Sequence, residues 1–508
     1  MKRSPARSGW SGAMVGGWSA GFLVSLAFLM LSACTAQFPV NPKTAIVLQP
    51  GQADPLLRKI AHTDRSDTLL FFMTFSGGGS RAAALSYGVL EALERVKVPH
   101  PKNKPETASR AARHTLLDEV DIISSVSGGS FTSAYYGLHG KKIFTDYKEH
   151  FLLRDFQGAL LLKLVNPINW FAIGSPYFGR SDLAAEYYEE NLFQGATLGQ
   201  MVKTGGPAIL IQATDVTDGF IFSFTPGMFS LLCSDYDRFP VSRAVAASAA
   251  LPGAFSPIAL KNYTGQCHSK GLPGWMRQSL DKPDMSSRIY YNAVRLNTYL
   301  DTKTKPFVYL VDGGVADNLG VRGPLESMIA RGNPRDLMKD SGFENTKQVV
   351  FLIVDAQTQE MSRWRFLNEI PGLAMILDAT STIMVNKYNF ETIELLNRYA
   401  KEWTYNDKVK GLVPIDFHII HVTFDVLPKE EKEYFQQIPT TLRLTEEQVD
   451  KLREVAGRIL YSDETFRKFV RSLGGTIPPN LTIVKAEKPA PEPAAPPVKT
   501  VPVTVSEP

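Results

Sequence analysis

Ser127 stands in Ser125-Val126-Ser127-Gly128-Gly129, after the apolar run Val120 to Ile123 and before a helix-compatible segment from Phe131 to Leu138. A serine held between a strand and a helix, with small neighbours, fits a nucleophile elbow. The tight turn forces the central residue into a strained conformation and presents its hydroxyl at the sheet edge. Gly129 takes the last position of the G-x-S-x-G pattern, and Ser125 replaces its first glycine. The helix N-terminus adds partial positive charge beside the hydroxyl. Ser124, Ser125 and Ser130 lack the elbow position. Alone, the pentapeptide fits an ordinary Ser/Gly-rich turn equally well.

A second candidate follows the apolar run Leu69 to Phe75: Ser76-Gly77-Gly78-Gly79-Ser80-Arg81, with a helix expected from Ala82. Consecutive glycines let backbone N–H groups converge on one point, as an oxyanion hole requires. Gly77, Gly78 and Gly79 are the candidate donors, with Gly128 from the elbow. Gly77 to Ala82 also fits the dinucleotide pattern G-x-G-x-x-G/A. That pattern needs an acidic residue closing a second strand about 20 residues on, and Val96 to Ala111 is Lys-, Pro- and Ala-rich with no strand. No Lys-Ser/Thr follows the glycines, so a P-loop is excluded.

The third candidate is Asp312, in Asp312-Gly313-Gly314 after the run Phe307 to Val311. A carboxylate at the end of a parallel strand would lie where α/β sites form, and the glycines would let the chain turn without blocking Ser127. Asp-Gly is also a common turn dipeptide. A Ser-His-Asp triad would need a later histidine, and His418 and His421 qualify by order. Lying three apart on one strand, they point to opposite faces, so at most one could serve. The same geometry argues against a zinc pair.

These groups need a scaffold of buried strands. Further apolar runs are Ala208 to Ile211, Val349 to Val354 and Phe417 to Phe424. Near-continuous apolar strands separated by helices predict an α/β fold with a sheet covered on both faces. Ala82 to Arg95 and Glu446 to Leu460 carry helical stripes. Phe151 to Phe178 and Phe220 to Leu232 are unusually rich in apolar residues. They could pack in the core, line an acyl channel or dip into lipid.

Together these motifs resemble the patatin-like phospholipases. Gly77-Gly78-Gly79-Ser80-Arg81 matches the family's glycine loop, Ser127-Gly128-Gly129 its elbow, and Asp312-Gly313-Gly314 its Asp-Gly-Gly. Ala246 to Pro257 also looks like the family's sequence and would pack small residues behind the site. Asn318 falls where these proteins often carry Asn. The resemblance implies a three-layer α/β/α fold and a Ser127–Asp312 dyad without histidine. It implies lipid acyl hydrolysis of phospholipase A or lysophospholipase type through an acyl-enzyme, with no metal or cofactor. Ala82 and Ser125 depart from the family's glycines. The alternatives are a triad esterase using His418 or His421, and a catalytically silent lipid-binding protein. Arg81 could steady the loop, meet a phosphate headgroup or pair with an acid.

The chain has 508 residues, 44% apolar and 21% charged, with a net charge of +4. Mixed charges and no Lys/Arg run exclude a nucleic-acid groove. Residues 1–33 read as a signal peptide: Lys2, Arg3 and Arg7 precede the apolar run Phe22 to Leu31, interrupted by Ser25, and then Leu31-Ser32-Ala33-Cys34. The apolar run is shorter than the ~20 residues of a spanning helix. Losing those three positive charges from +4 leaves +1. Cysteine after Leu-Ser-Ala resembles the lipobox of bacterial lipoproteins, which implies cleavage before Cys34 and its acylation. Thr35, where retained family members often carry Asp, favours the periplasmic face of the outer membrane. The expected organisation is a tether at 34–67, a hydrolase domain at 68–475 and a Pro/Ala-rich disordered tail at 486–508. The expected partners are a fatty acyl ester substrate and a membrane surface. Cys233 and Cys267 could pair in an oxidising compartment or be unrelated thiols.

Overall fold

The structure is a computed structural model. It describes residues 41–48, 55–56, 65–101, 114–173, 175, 178–267, 272–330, 334–358 and 372–478. The leader, Cys34, most of the 34–67 span and the Pro/Ala-rich tail lie outside the described residues.

Eight strands form one sheet: β1 (Leu69–Phe75), β2 (Ile122–Val126), β3 (Ala208–Asp215), β4 (Phe220–Ser223), β5 (Ile258–Lys261), β6 (Phe307–Asp312), β7 (Gln348–Asp355) and β8 (Asp416–Thr423). The helices that bear on the site are, in chain order, α1 (Gly79–Arg95), α2 (Gly128–His139), α3 (Phe156–Val165), α4 (Pro167–Ile173), α5 (Arg180–Tyr188), α6 (Val241–Ser248), α7 (Gly314–Asp317), α8 (Leu373–Val409) and α9 (Glu446–Ser462). The strand order is β5-β6-β3-β2-β1-β7-β8, with β4 paired to β3 beside this path.

β1 explains the layering. All seven of its residues are buried. Leu69, Phe71, Met73 and Phe75 enter a core shared with α1, α2 and α9, while Leu70 and Phe72 enter a second core with Leu325, Leu395 and Trp403. Each fully buried Leu or Phe contributes about 1.5–3 kcal/mol. A period-two strand apolar on both faces must be covered on both, which gives the three layers α/β/α.

The sheet is mixed, and this corrects the placement of Asp312 at the end of a parallel strand. β2, β1, β7 and β8 run parallel to β3, but β6 is antiparallel to it. β2 pairs with β3 as far as Gln212, and β6 pairs from Ala213 onward. Both use the same edge of β3: Ala208 N–H donates to Asp121 O, and Val216 N–H, eight residues on and therefore on the same side, donates to Tyr309 O. β6 thus fills the slot that β2 vacates when the chain turns at Ser127. The C-terminal ends of the two strands meet head to head.

The two apolar stretches divide. Phe222, Phe224 and Phe229, with Phe151 and Phe156, are buried in the first core. Leu161, Leu162, Val165, Ile168 and Trp170 on α3 and α4 are exposed. Among the described residues no helix is long and apolar enough to cross a membrane.

Candidate active site

Ser127 lies between β2 and α2 at φ 50°, ψ −123°. A non-glycine residue at positive φ stores about 1–3 kcal/mol of strain. The close approach of neighbouring backbones explains Gly128: a Cβ there would sit 2.0 Å from Gly79 O. Ser125, in place of the pattern's first glycine, is accommodated because its Oγ lies 2.6 Å from Ser133 Oγ inside the packed layer.

Ser127 Oγ donates to Asp312 Oδ2 at 2.7 Å, and Gly314 N–H donates to Asp312 Oδ1 at 2.8 Å. Both side chains are buried. Burial pushes the Asp312 carboxyl up from 3.8 to about 6, against the lowering effect of the two hydrogen bonds. The segment from Ser248 to Ala250 braces both residues. Ser248 Oγ accepts Ser127 N–H at 2.9 Å, Ser248 O accepts Gly313 N–H, and Ala250 O accepts Asp312 N–H. Small residues were expected behind the site, but the hydrogen-bonding role of Ser248 carries no sequence signature.

The glycine loop lies against the elbow. Gly78 and Gly79 have φ 135° and 59°, which only glycine adopts without strain. The helix starts at Gly79 rather than Ala82. Helix geometry leaves Gly79 N–H, and Gly128 N–H at the start of α2, without an intrahelical acceptor. Gly77 differs from its expected role: its N–H donates to Asn318 O at 3.0 Å. Asn318 therefore anchors the loop, and a Cβ on Gly77 would lie 2.5 Å from its Oδ1. Thr441, unremarked in the sequence, takes Ser80 N–H at 2.8 Å. Arg81 is buried among protein acceptors. It donates through Nε to Ala356 O at 2.8 Å, through Nη1 to Ile438 O, and through Nη2 to Thr440 Oγ1 at 3.2 Å.

The histidines stand apart. Both lie on β8, three strands from β2, about 14 Å at the usual strand spacing. His418 Nε2 is 3.2 Å from Asp416 Oδ2, and His421 Nε2 is 3.2 Å from Asp355 Oδ2. Burial pushes the His418 imidazole down, with Asp416 opposing. Ser127 bonds Asp312 directly, with no imidazole between them. Among the described residues no group of three or more His, Cys, Asp or Glu could hold a metal.

No curated protein matches the sequence significantly. Among solved structures, human GIVD cytosolic phospholipase A2 aligns at 14% identity over 83% of this chain and 65% of its own, with a TM-score of 0.36. Its complex with methyl gamma-linolenyl fluorophosphonate and terbium chloride aligns at 14% over 82% and 62%, TM-score 0.34. The complex with the fluorophosphonate alone aligns at 14% over 82% and 61%, TM-score 0.33. The chain thus spans less than two thirds of the length of these enzymes. The profile described as patatin-like phospholipase matches residues 73–325. That span starts within β1 and ends within the helix Arg322–Ile329 after Asn318. It contains the glycine loop, the elbow, the Ser248 segment and Asp312, and through this domain the chain belongs to the patatin-like phospholipase family.

Proposed function

We propose that the protein is a serine acyl hydrolase acting on membrane lipids, of phospholipase A or lysophospholipase type, with Ser127 as nucleophile and Asp312 as base. What carries the reading is the 2.7 Å hydrogen bond from Ser127 Oγ to a buried Asp312 carboxylate. Asp312 accepts the hydroxyl proton as Oγ attacks the ester carbonyl. The oxyanion forms beside the N–H groups of Gly78, Gly79 and Gly128, while Gly77 holds the loop through Asn318. As the tetrahedral species collapses, protonated Asp312 gives its proton to the departing alkoxide, leaving an acyl-serine. Asp312 then deprotonates water, which releases the fatty acid and restores Ser127. A base raised to about 6 is ionised at neutral pH yet accepts a proton more readily than an ordinary carboxylate.

The proposed setting is the bacterial envelope, with the chain tethered through acylated Cys34. The disulfide between Cys233 and Cys267 fits an oxidising compartment.

An alkyl fluorophosphonate tests the nucleophile. Attack by Oγ at phosphorus with loss of fluoride should add one phosphonyl group, located on Ser127 by peptide mass. Ser127→Ala should take no label and lose at least about 10⁴-fold in phospholipid turnover. A labelled residue elsewhere, or retained turnover, sinks the assignment.

A further inference from the structure

Three independent features crowd the end of the sheet where Ser127 lies. The first is the point where the described chain begins. Asn41 is tied to β5: its Oδ1 takes Lys261 N–H at 2.6 Å, and its Nδ2 donates to Lys261 O at 3.0 Å. Lys261 pairs with Phe307, five residues before Asp312 on β6. β6 reaches the site from beyond the edge where β2 ends, so Asn41 stands about 17 Å outward of the dyad, on its side of the molecule. Asn41 is seven positions after Cys34, a reach of at most about 25 Å.

The second feature is α8. Gln357, just past the end of β7, bonds Asn386 and Asn389. Asp407, near the other end of the helix, takes the N–H of Ile415 just before β8 begins. The helix therefore runs antiparallel to β7 and β8 and crosses the site-bearing edge near residue 389. The residues before it extend about 20 Å past that edge, and Met384 on this arm is 61% exposed.

The third is a set of exposed apolar side chains around the dyad. Leu251 (47%) follows Ala250, and Val315 (53%) follows Gly314. The α3–α4 excursion leaves at Gln157, whose N–H bonds Leu442 O next to Thr441, and returns at Gly179, packed on Ser256 shortly before β5. It presents Leu162 (72%) and Ile168 (75%). Trp170 beside them has its indole N–H paired with Leu164 O, so entry into hydrocarbon would strand no donor.

We infer that this end of the sheet is the membrane-docking surface, and that α3, α4 and the N-terminal arm of α8 enter the phospholipid leaflet that carries the acylated Cys34. The inference rests on the proposed lipid anchor and extends the proposed hydrolase by placing its site against the bilayer. The short tether holds this face towards the leaflet. Exposed apolar side chains on these helices, with a tryptophan among them, suit the headgroup–acyl boundary. Ester bonds would then reach Ser127 from the bilayer rather than through water.

The test uses the full Ser127→Ala chain, which cannot consume the lipid, reconstituted in phosphatidylcholine vesicles with brominated acyl chains. Trp170 should be quenched, so the quenched component should vanish in the added Trp170→Phe variant. In the active chain, Leu162→Asp, Ile168→Asp and Met384→Asp together should lower turnover on vesicles at least about tenfold, with turnover on a soluble butyrate ester unchanged. Unquenched Trp170, or equal loss on both substrates, overturns the proposal. So does a drop in oligomeric mass in these variants without quenching, which would assign the face to a second copy. Peptide mass at Cys34 reports acylation separately, and quenching does not depend on catalysis, so failure of the anchor or of the hydrolase is seen apart from failure of docking.

Discussion

Ser248 Oγ lies 2.9 Å from Ser127 N and accepts its hydrogen. Ser248 has one hydroxyl hydrogen, and it goes to Gln212 O at 2.6 Å. Ser130 must therefore be the donor in its 2.8 Å contact with Ser248. One buried hydroxyl thus links the elbow, α2 and the last β3 residue paired with β2. It helps hold Ser127 at a φ of 50° that it would not otherwise favour.

Ser248→Ala should leave Ser127 N–H and Gln212 O unpaired in a buried site, at a cost of about 1–3 kcal/mol. The expected kinetic result is a fall in kcat of about 10–100-fold with little change in KM. The oxygen touches the nucleophile's backbone rather than the substrate, so steady-state kinetics on a soluble ester, with a thermal melt, checks both effects.

The pH profile should follow Asp312. Its carboxyl is raised to about 6 in the fold, and only the ionised form can take the Ser127 proton. We expect kcat/KM to rise with pH up to about 6 and then level. An acid limb near 4 would place the base elsewhere. Stability runs the other way. Because the folded pKa lies above the unfolded one, Asp312 contributes stability below about pH 4 that is lost as pH rises through 6. The two-unit shift is worth about 3 kcal/mol. Asp312→Asn should abolish turnover yet raise Tm at pH 8, with a smaller effect at pH 4. Calorimetry at both values tests the sign.

Some of this was legible in the sequence for physical reasons. β1 and β7 are buried on both faces and so appear as near-continuous apolar runs, broken in β1 only by Thr74. β4 and β5 have four residues each and are partly exposed, too short for such a run to stand out. The direction of β6 was not legible: an apolar run ending in Asp312 reads the same whether its neighbour is parallel or antiparallel. The glycine loop was visible, but the use of Gly77 N–H depends on Asn318, 241 positions away, and no local pattern encodes that. The two histidines do point to opposite faces, as period two requires: His418 packs on Phe469 and His421 meets Asp355. Chain order could not say that the sheet carries both away from Ser127.

Arg81 should act through the glycine loop. Its guanidinium joins three separate acceptors, at Ala356, Ile438 and Thr440, and so ties the start of α1 to the segments after β7 and before α9. A lysine ammonium is a compact donor that lacks the planar fork needed to span them. Arg81→Lys should lower kcat about tenfold or more, while labelling of Ser127 by a fluorophosphonate slows in parallel, because both need the same oxyanion donors. If kcat falls but the labelling rate holds, Arg81 serves the substrate rather than the loop.

The disulfide between Cys233 and Cys267 should matter for the site as well as for stability. Their Cα atoms are 5.6 Å apart across a separation of 34 residues. Closing a loop of that length removes enough unfolded-state entropy to contribute about 4 kcal/mol in the chain-entropy model. The loop holds α6, Ser248, Ala250 and β5, so it carries the groups that brace both Ser127 and Asp312. Reduction, or the double change Cys233→Ser with Cys267→Ser, should lower Tm by several degrees. Activity should fall at temperatures well below the melt, as the braced segment loosens before the rest unfolds. Turnover measured against temperature, oxidised and reduced, checks this. Coincident loss of activity and structure in both states would confine the disulfide to global stability.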